Sequence, residues 1–91
     1  MIGEEAVPRL APGVRLQQDH VRGGWVLQAP EQVLVADEIA TEVVRLVDGT
    51  RSLGAVVDDL AARFTAPRTE IAADVRELLG QLAEQGLVVV R

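Results

Sequence analysis

The chain contains no cysteine, no tyrosine and no lysine, and only one tryptophan, one phenylalanine, one histidine and one methionine. Each shortage removes a class of chemistry. Without cysteine there is no disulfide framework, no thiolate metal site and no cysteine nucleophile, and a reducing compartment suits the chain. With aromatics at 2% and apolar residues at 48%, a core has to be built from Val, Leu, Ile and Ala around Trp25 and Phe64, with Trp25 as its expected anchor. The positive charges are nine arginines, scattered among fourteen Asp and Glu, for a net charge of −5. That balance disfavours nucleic acid, whose phosphates are bound by clustered Lys and Arg. The apolar runs are short, as in Leu87 to Val90, where a bilayer span needs roughly 20 residues. Met1 to Leu10 carries Glu4 and Glu5 and lacks the apolar stretch of a signal peptide. A cytoplasmic protein without membrane contact is the expectation.

A length of 91 residues accommodates one domain with one core. We expect the domain to span 1–91, with an ordered core at about 8–90 and flexible residues at 1–7. From Val14 to Val35, Gly13, Gly23, Gly24 and Pro30 cut the chain into strand-length pieces. Val14, Leu16 and Gln18 alternate with Arg15, Gln17 and Asp19, as in a strand with one wet face. Trp25 to Ala29 forms the second piece after a hairpin loop at His20 to Gly24. Gln32 to Val35 forms the third after a turn at Pro30 and Glu31. The pieces predict a three-stranded antiparallel meander.

Beyond Ala36 the apolar spacing becomes helical. Asp37 is placed to cap a helix through Val47, whose Ile39, Val43, Val44 and Val47 form one stripe, closed by Asp48 and Gly49. Ser52 caps a second helix to about Phe64, with Leu53, Val56, Val57, Leu60 and Phe64 inward. A third helix begins near Pro67, carries Ile71, Val75, Leu78, Leu79 and Leu82, and stops at Gly86. Leu87 to Val90 reads as a terminal strand or a docking tail. Sheet and helices cannot bury their apolar faces separately at this size, so the helices pack on one face of the sheet. The fold class is α+β, in winged helix-turn-helix style.

No catalytic constellation emerges. His20 falls in an exposed loop and cannot bind a metal alone. Glu4–Glu5, Asp37–Glu38 and Asp58–Asp59 are sequence neighbours, and in helices such neighbours diverge. Capping and solvation explain the last two pairs better than acid-base work. No glycine has the spacing of a phosphate loop. The third helix, which would enter a DNA groove, carries Arg68 and Arg76 against Glu70, Asp74, Glu77 and Glu84. The chain is expected not to be an enzyme and to need no cofactor or metal.

The third strand departs from the pattern, because Val33, Leu34 and Val35 put apolar side chains on both faces. Either a partner covers one face, or Leu34 tucks under the third helix and the edge is merely short. An exposed edge leaves N–H and C=O groups open to an added strand, from a peptide or from a second copy of the chain. Three classes of function remain: a peptide adaptor, a winged-helix DNA binder and a dimerisation module.

The order of several motifs separates them. Gly13-Val14-Arg15-Leu16, then Trp25-Val26-Leu27 leading into Ala29-Pro30-Glu31, then Asp37 and Ile39 opening a helix that closes at Asp48-Gly49, resemble the PqqD family. Ala66-Pro67, Ile71, Asp74-Val75, Leu78 and Gly86-Leu87 continue the likeness, which covers nearly everything from Pro8 onward. Gln28 departs from the apolar residue expected there. The resemblance implies a non-catalytic peptide chaperone, a recognition element of ribosomal peptide natural-product pathways, acting in pyrroloquinoline quinone (PQQ) biosynthesis. It implies the PqqA precursor peptide as ligand and, as partner, the radical S-adenosylmethionine enzyme PqqE, which cross-links a glutamate and a tyrosine of that peptide. Iron–sulfur chemistry would belong to that partner. Members also occur fused to another pathway enzyme, and the expected state is a monomer or weak homodimer.

Carried onto this chain, the resemblance implies a peptide lying as an extra strand between Gln32 to Ala36 and the helix from Arg68 to Leu79. The expected contacts are Gln32, Val33, Leu34, Val35 and Ala36 on the strand. On the helix they are Arg68, Ile71, Ala72, Val75, Arg76, Leu78 and Leu79, with Leu34, Ile71, Val75 and Leu78 forming apolar pockets. Arg68 and Arg76 would meet acidic side chains of the peptide.

Overall fold

The computed structural model describes residues 2–91. The chain runs through β1 (Pro8–Leu10), β2 (Arg15–Gln18), β3 (Trp25–Gln28), β4 (Val33–Ala36), α1 (Glu38–Leu46), α2 (Leu53–Arg63), α3 (Arg68–Glu84) and β5 (Val88–Val90). β2, β3 and β4 form an antiparallel sheet in that order, the expected meander. In the β2–β3 loop the Asp19 amide donates to the Gly24 carbonyl at 2.9 Å. The Asp19 carboxylate accepts from the amides of Val21 and Arg22 at 3.0 and 3.1 Å. Those bonds, the Arg22 one foremost, hold its pKa below the usual aspartate value. The β3–β4 turn at Pro30 and Glu31 is closed by the Ala29 amide donating to the Gln32 carbonyl at 2.9 Å.

Both expected caps are present. The Asp37 carboxylate accepts from the Ala40 amide at 2.8 Å and the Ser52 hydroxyl from the Ala55 amide at 3.1 Å, each removing one orphan donor of a helix start. α3 ends at Gly86, whose φ of +76° lets the Leu87 amide reach back to the Leu82 carbonyl at 2.9 Å, a Schellman closure. The turn folds the chain back so that Leu87 and Val88 enter the core.

That core is aliphatic. Val43, Leu53, Val56, Val57 and Leu79 have no exposed surface, and Leu27, Leu60, Val75, Leu82 and Leu87 extend the cluster. Trp25 does not anchor it, contrary to expectation. The ring is half-buried beside α1, with the Arg45 guanidinium 4.7 Å from its centroid. On β3, side chains alternate across the sheet, so Trp25 and Leu27 face the helices. Leu27 reaches the middle of the core, whereas Trp25 lies at the strand's end, beyond the helix packing, and keeps one face for a cation.

A second sheet was only half anticipated. β5, expected as a strand or a tail, pairs antiparallel with β1 through Pro8–Val90, Arg9–Val89 and Leu10–Val88. β1 itself was not foreseen. Pro8 begins the strand, a position proline tolerates, and its carbonyl accepts from the Gly49 amide at 3.2 Å.

Residues 2–7, expected to be flexible, have specific partners. The Ala6 and Glu4 carbonyls accept from the Leu53 and Gly54 amides at 2.7 and 2.9 Å. With Ser52 they satisfy the first three amides of α2. The Glu4 carboxylate is gripped by both terminal nitrogens of Arg68, at 2.7 and 3.0 Å, and lies 3.4 Å from Arg76. The Arg68 hydrogen bond is the chief cause that lowers the Glu4 pKa, and the same contact foremost raises that of Arg68. A side chain on Gly54 would meet Glu4 Oε1 at 3.0 Å and its carbonyl oxygen at 3.3 Å, so glycine permits the close approach of the arm.

Deleting residues 1–6 is therefore expected to lower the melting temperature by roughly 5–10 °C, because it takes away the partners of the Leu53 and Gly54 amides and leaves Arg68 with Asp58 alone. An unchanged thermal melt would mean that the arm contributes no stability.

The α1–α2 turn has its own pH signature. The Asp48 carboxylate accepts from the amides of Thr50 and Arg51, both at 3.0 Å, and from the Thr50 hydroxyl at 2.9 Å. These bonds lower its pKa from 3.8 to about 2. The stabilisation from a depressed aspartate is complete above its unfolded value and is lost as pH falls through the folded one. Asp48→Ala should thus melt several degrees earlier than wild type near pH 6, and the gap should narrow between 3.8 and about 2. A gap independent of pH in that window would contradict this role.

Candidate functional site

Among the described residues β4 is an edge strand, paired only with β3. The register joins Trp25 to Ala36, Val26 to Val35, Leu27 to Leu34 and Gln28 to Val33. Because the pair Ala29–Gln32 is hydrogen-bonded, the antiparallel alternation makes Leu27–Leu34 and Trp25–Ala36 hydrogen-bonded too. The N–H and C=O groups of Leu34 and Ala36 therefore point at β3. Those of Val33 and Val35 point away from the sheet, at the open edge. Sequence alone left the choice between these two sets undecided.

The side chains alternate with equal consequence. Leu34 and Ala36 turn toward the helices and are half-buried, while Val33 and Val35 are 55% and 75% exposed on the opposite face. Leu34 faces the groove across from Leu78, and the outer face at Val33 and Val35 is uncovered among the described residues. Gln28 lies half-buried on that outer face with the buried Val26, between Arg15 and Val33.

Between β4 and α3 lies a groove of about 210 Å³, floored by Leu27, Leu34, Val44 and Leu82 and flanked by Leu78 and Gln81. Gln85 stands at its end. The floor is apolar, the flanks offer amide groups, and the strand beside it has free main-chain donors and acceptors. Such a site suits an extended peptide with alternate side chains pointing inward. Among the described residues no group of three His, Asp or Glu side chains is arranged to hold a metal ion.

The structure brings together only part of the expected site. Gln32 to Ala36 border the open edge, and Leu34 and Leu78 share the groove. Ala72 and Leu79 are core residues with almost no exposed surface. Ile71 and Val75 are also buried, but they line a separate hollow further along α3. Arg68 and Arg76 lie away from the groove. Arg68 bonds Glu4 and Asp58, and Arg76 bonds Glu4 and the Ile2 carbonyl. The reason is rotational: Arg68 and Arg76 emerge on the flank of α3 that meets the N-terminal arm. Sequence reading missed Gln81, Leu82 and Gln85, which follow Leu78 at helical spacing one and two turns on.

A wider hollow, about 710 Å³ in volume, lies on that other flank of α3, between Ile2, Ala73, Gly80, Ala83 and Val90. It is wide and shallow and is walled mainly by α3 and the N-terminal arm, with Val90 of β5 at one side. The outer face of α3 remains acidic, with Glu70, Asp74, Glu77 and Glu84, and its two arginines are already paired. That surface would repel a phosphate backbone. No described helix is long and apolar enough to cross a membrane.

Comparison with known proteins bears on the family and the fold. A family model described as Coenzyme PQQ synthesis protein D (PqqD) matches residues 24–88. A "PqqA binding protein" of Rhodopseudomonas palustris is 44% identical over 87 residues, covering 96% of this chain and 85% of its own. One from Xanthomonas oryzae pv. oryzae is 47% identical, covering 96% and 95%. The solution structure of the PqqD truncation of Methylobacterium extorquens PqqCD, described as a functional, stand-alone recognition element, superposes with a TM-score of 0.83. It is 35% identical, over 98% of this chain and 95% of that one. A lasso peptide synthetase B1 complexed with its leader peptide shares the fold, at 22% identity, a TM-score of 0.77 and coverage of 91% and 98%. By sequence, strand order and helix arrangement together, the chain belongs to the PqqD family.

Proposed function

We propose that this protein is a non-catalytic adaptor of PQQ biosynthesis that binds the PqqA precursor peptide as a fourth strand beside β4 and presents it to the radical S-adenosylmethionine enzyme PqqE. The observation that carries this reading is the pair of outward-facing main-chain groups at Val33 and Val35, set beside an apolar groove. Ladder hydrogen bonds to those two residues would supply affinity independent of sequence, and the groove would select alternate side chains. Relatives named for PqqA binding, at more than 40% identity over most of the chain, support PqqA as the peptide. The assignment to PqqE rests on the family resemblance. Cytoplasmic action fits the absence of cysteine and the peptide origin of the ligand.

The contact set follows the geometry rather than the first expectation. Val33 and Val35 act through their backbones, Leu34, Leu78 and Leu82 through apolar surface, and Gln81 and Gln85 through side-chain amides. Arg68 and Arg76 fasten the N-terminal arm and have no part in the groove.

The same edge also fits a second copy of the chain, since the exposed Val33 and Val35 would be covered by it. Sedimentation without peptide separates the readings: a mass that doubles with concentration assigns the edge to self-pairing.

Val35→Pro tests the proposal directly. Proline removes the Val35 donor at the open edge and leaves the β3 pairing intact, as edge strands tolerate. Titration calorimetry with the PqqA peptide is expected to show binding to wild type and a loss of at least about tenfold in the variant, with unchanged circular dichroism. Equal affinities would remove strand addition at β4 from the account.

A further inference from the structure

One stripe of α3 runs past the groove. Ile71, Asp74, Leu78, Gln81 and Gln85 recur at spacings of three and four residues, so they line a single flank of the helix. Leu78, Gln81 and Gln85 border the β4 groove. Ile71 and Asp74 border the next hollow, about 140 Å³, between the three helices, whose apolar wall also includes Ile39, Phe64 and Val75. Both hollows reach the first turn of α1, where Ala40 lines one and its neighbour Ile39 lines the other. Ile39 is 51% exposed, a large apolar side chain left in water at the rim.

The charges at this second hollow are one-sided. Glu42 and Asp74 both line it. Glu42 is bound by Arg63 at 2.8 Å, and Arg63 is held by Asp59 at 2.9 Å as well, so that cation, which lies over the Phe64 ring at 5.8 Å, is already neutralised. Asp74 has no ion pair or side-chain hydrogen bond among the described residues, and it is the single charged residue of the stripe. A peptide leaving the strand site along α3 would cover this carboxylate. Covering it without a counter-charge would cost its hydration.

We propose that this hollow is a specificity subsite for one lysine or arginine side chain of the bound peptide. The inference rests on the reading of the β4 groove as the peptide site. The methylene stem lies against Ile39, Phe64, Ile71 and Val75, and the cationic head reaches Asp74 at the rim, the division of labour long basic side chains favour. Asp74 is about one helical turn, or 6 Å, from Leu78, so the basic residue falls roughly two to four extended residues outside the strand-forming segment. The selection is opposite in sign to the one expected from Arg68 and Arg76: this hollow takes a cation, because Asp74 is its one charged side chain without a partner among the described residues.

A double-mutant cycle tests this. Affinities are measured by calorimetry for wild type and Asp74→Asn, with the PqqA peptide and with variants in which each Lys or Arg is singly replaced by norleucine. The expected result is that one replacement weakens binding to wild type by roughly tenfold and leaves binding to Asp74→Asn unchanged. Asp74 is exposed, so the variant keeps its fold, which an amide spectrum verifies. If wild type binds the peptide but no basic residue couples to Asp74, the subsite is overturned and the groove stands. If wild type does not bind the peptide at all, the groove reading fails first, and the subsite with it.

Discussion

The hydrogen bond from the Ala29 amide to the Gln32 carbonyl fixes the register of β4 against β3, and the proposed recognition surface follows from that register. A two-residue turn sets which residues of β4 point their amides inward and which outward. A slip of one residue would turn Leu34 out of the helix-facing side and bring Val33 and Val35 toward the core. The hydrophobic pattern resists such a slip only weakly, since all three residues are apolar. The turn chemistry of Pro30 and Glu31 therefore carries specification that alternation supplies in β2. Gly13 abuts this turn, where a side chain would meet Pro30 Cγ at 3.2 Å, so the approach to β2 and the β3–β4 turn are fitted together.

A second constraint is scale. With one Trp and one Phe, neither of them in the fully buried set, the core is filled by aliphatic side chains from all three helices, by Leu27 of β3 and by Leu87 and Val88. Nothing remains to cover the outer face of β4 or the flank of α3 beside it. The N-terminal arm and the β1–β5 ribbon instead cover the start of α2 and the opposite flank of α3. Glu4, Arg68 and Arg76 tie these pieces together. The fold thus covers one side of α3 with its own chain and leaves the other side open.

Much of this was legible in the sequence, and the failures share a cause. Strand positions followed from the placing of Gly13, Gly23, Gly24 and Pro30. Asp37, Ser52 and Gly86 marked helix ends through short-range chemistry, and the inward stripe of α2 was read residue for residue apart from Phe64, which is only partly buried. What escaped depends on partners far apart in the chain. β1 is three residues long and pairs with residues about eighty positions away, and no local period announces such a strand. The Glu4–Arg68 contact spans 64 residues, so Arg68 and Arg76 looked free when they were engaged. The groove-facing stripe of α3 was hidden differently. Asp74, Gln81 and Gln85 are polar, and a reading that sorts helix faces into apolar core and polar solvent assigns them to water. A binding flank is both.

The central claim is that the Val33 and Val35 amides are open in the free protein and close when peptide adds to β4. Amide hydrogen exchange, followed residue by residue with and without the PqqA peptide, tests it most directly. Leu34 and Ala36 should be protected in both states, because β3 already accepts their bonds, whereas Val33 and Val35 should exchange freely alone and slow by at least about tenfold when peptide is bound. Protection of Val33 and Val35 without peptide, or free exchange at both with peptide saturating, would contradict the account.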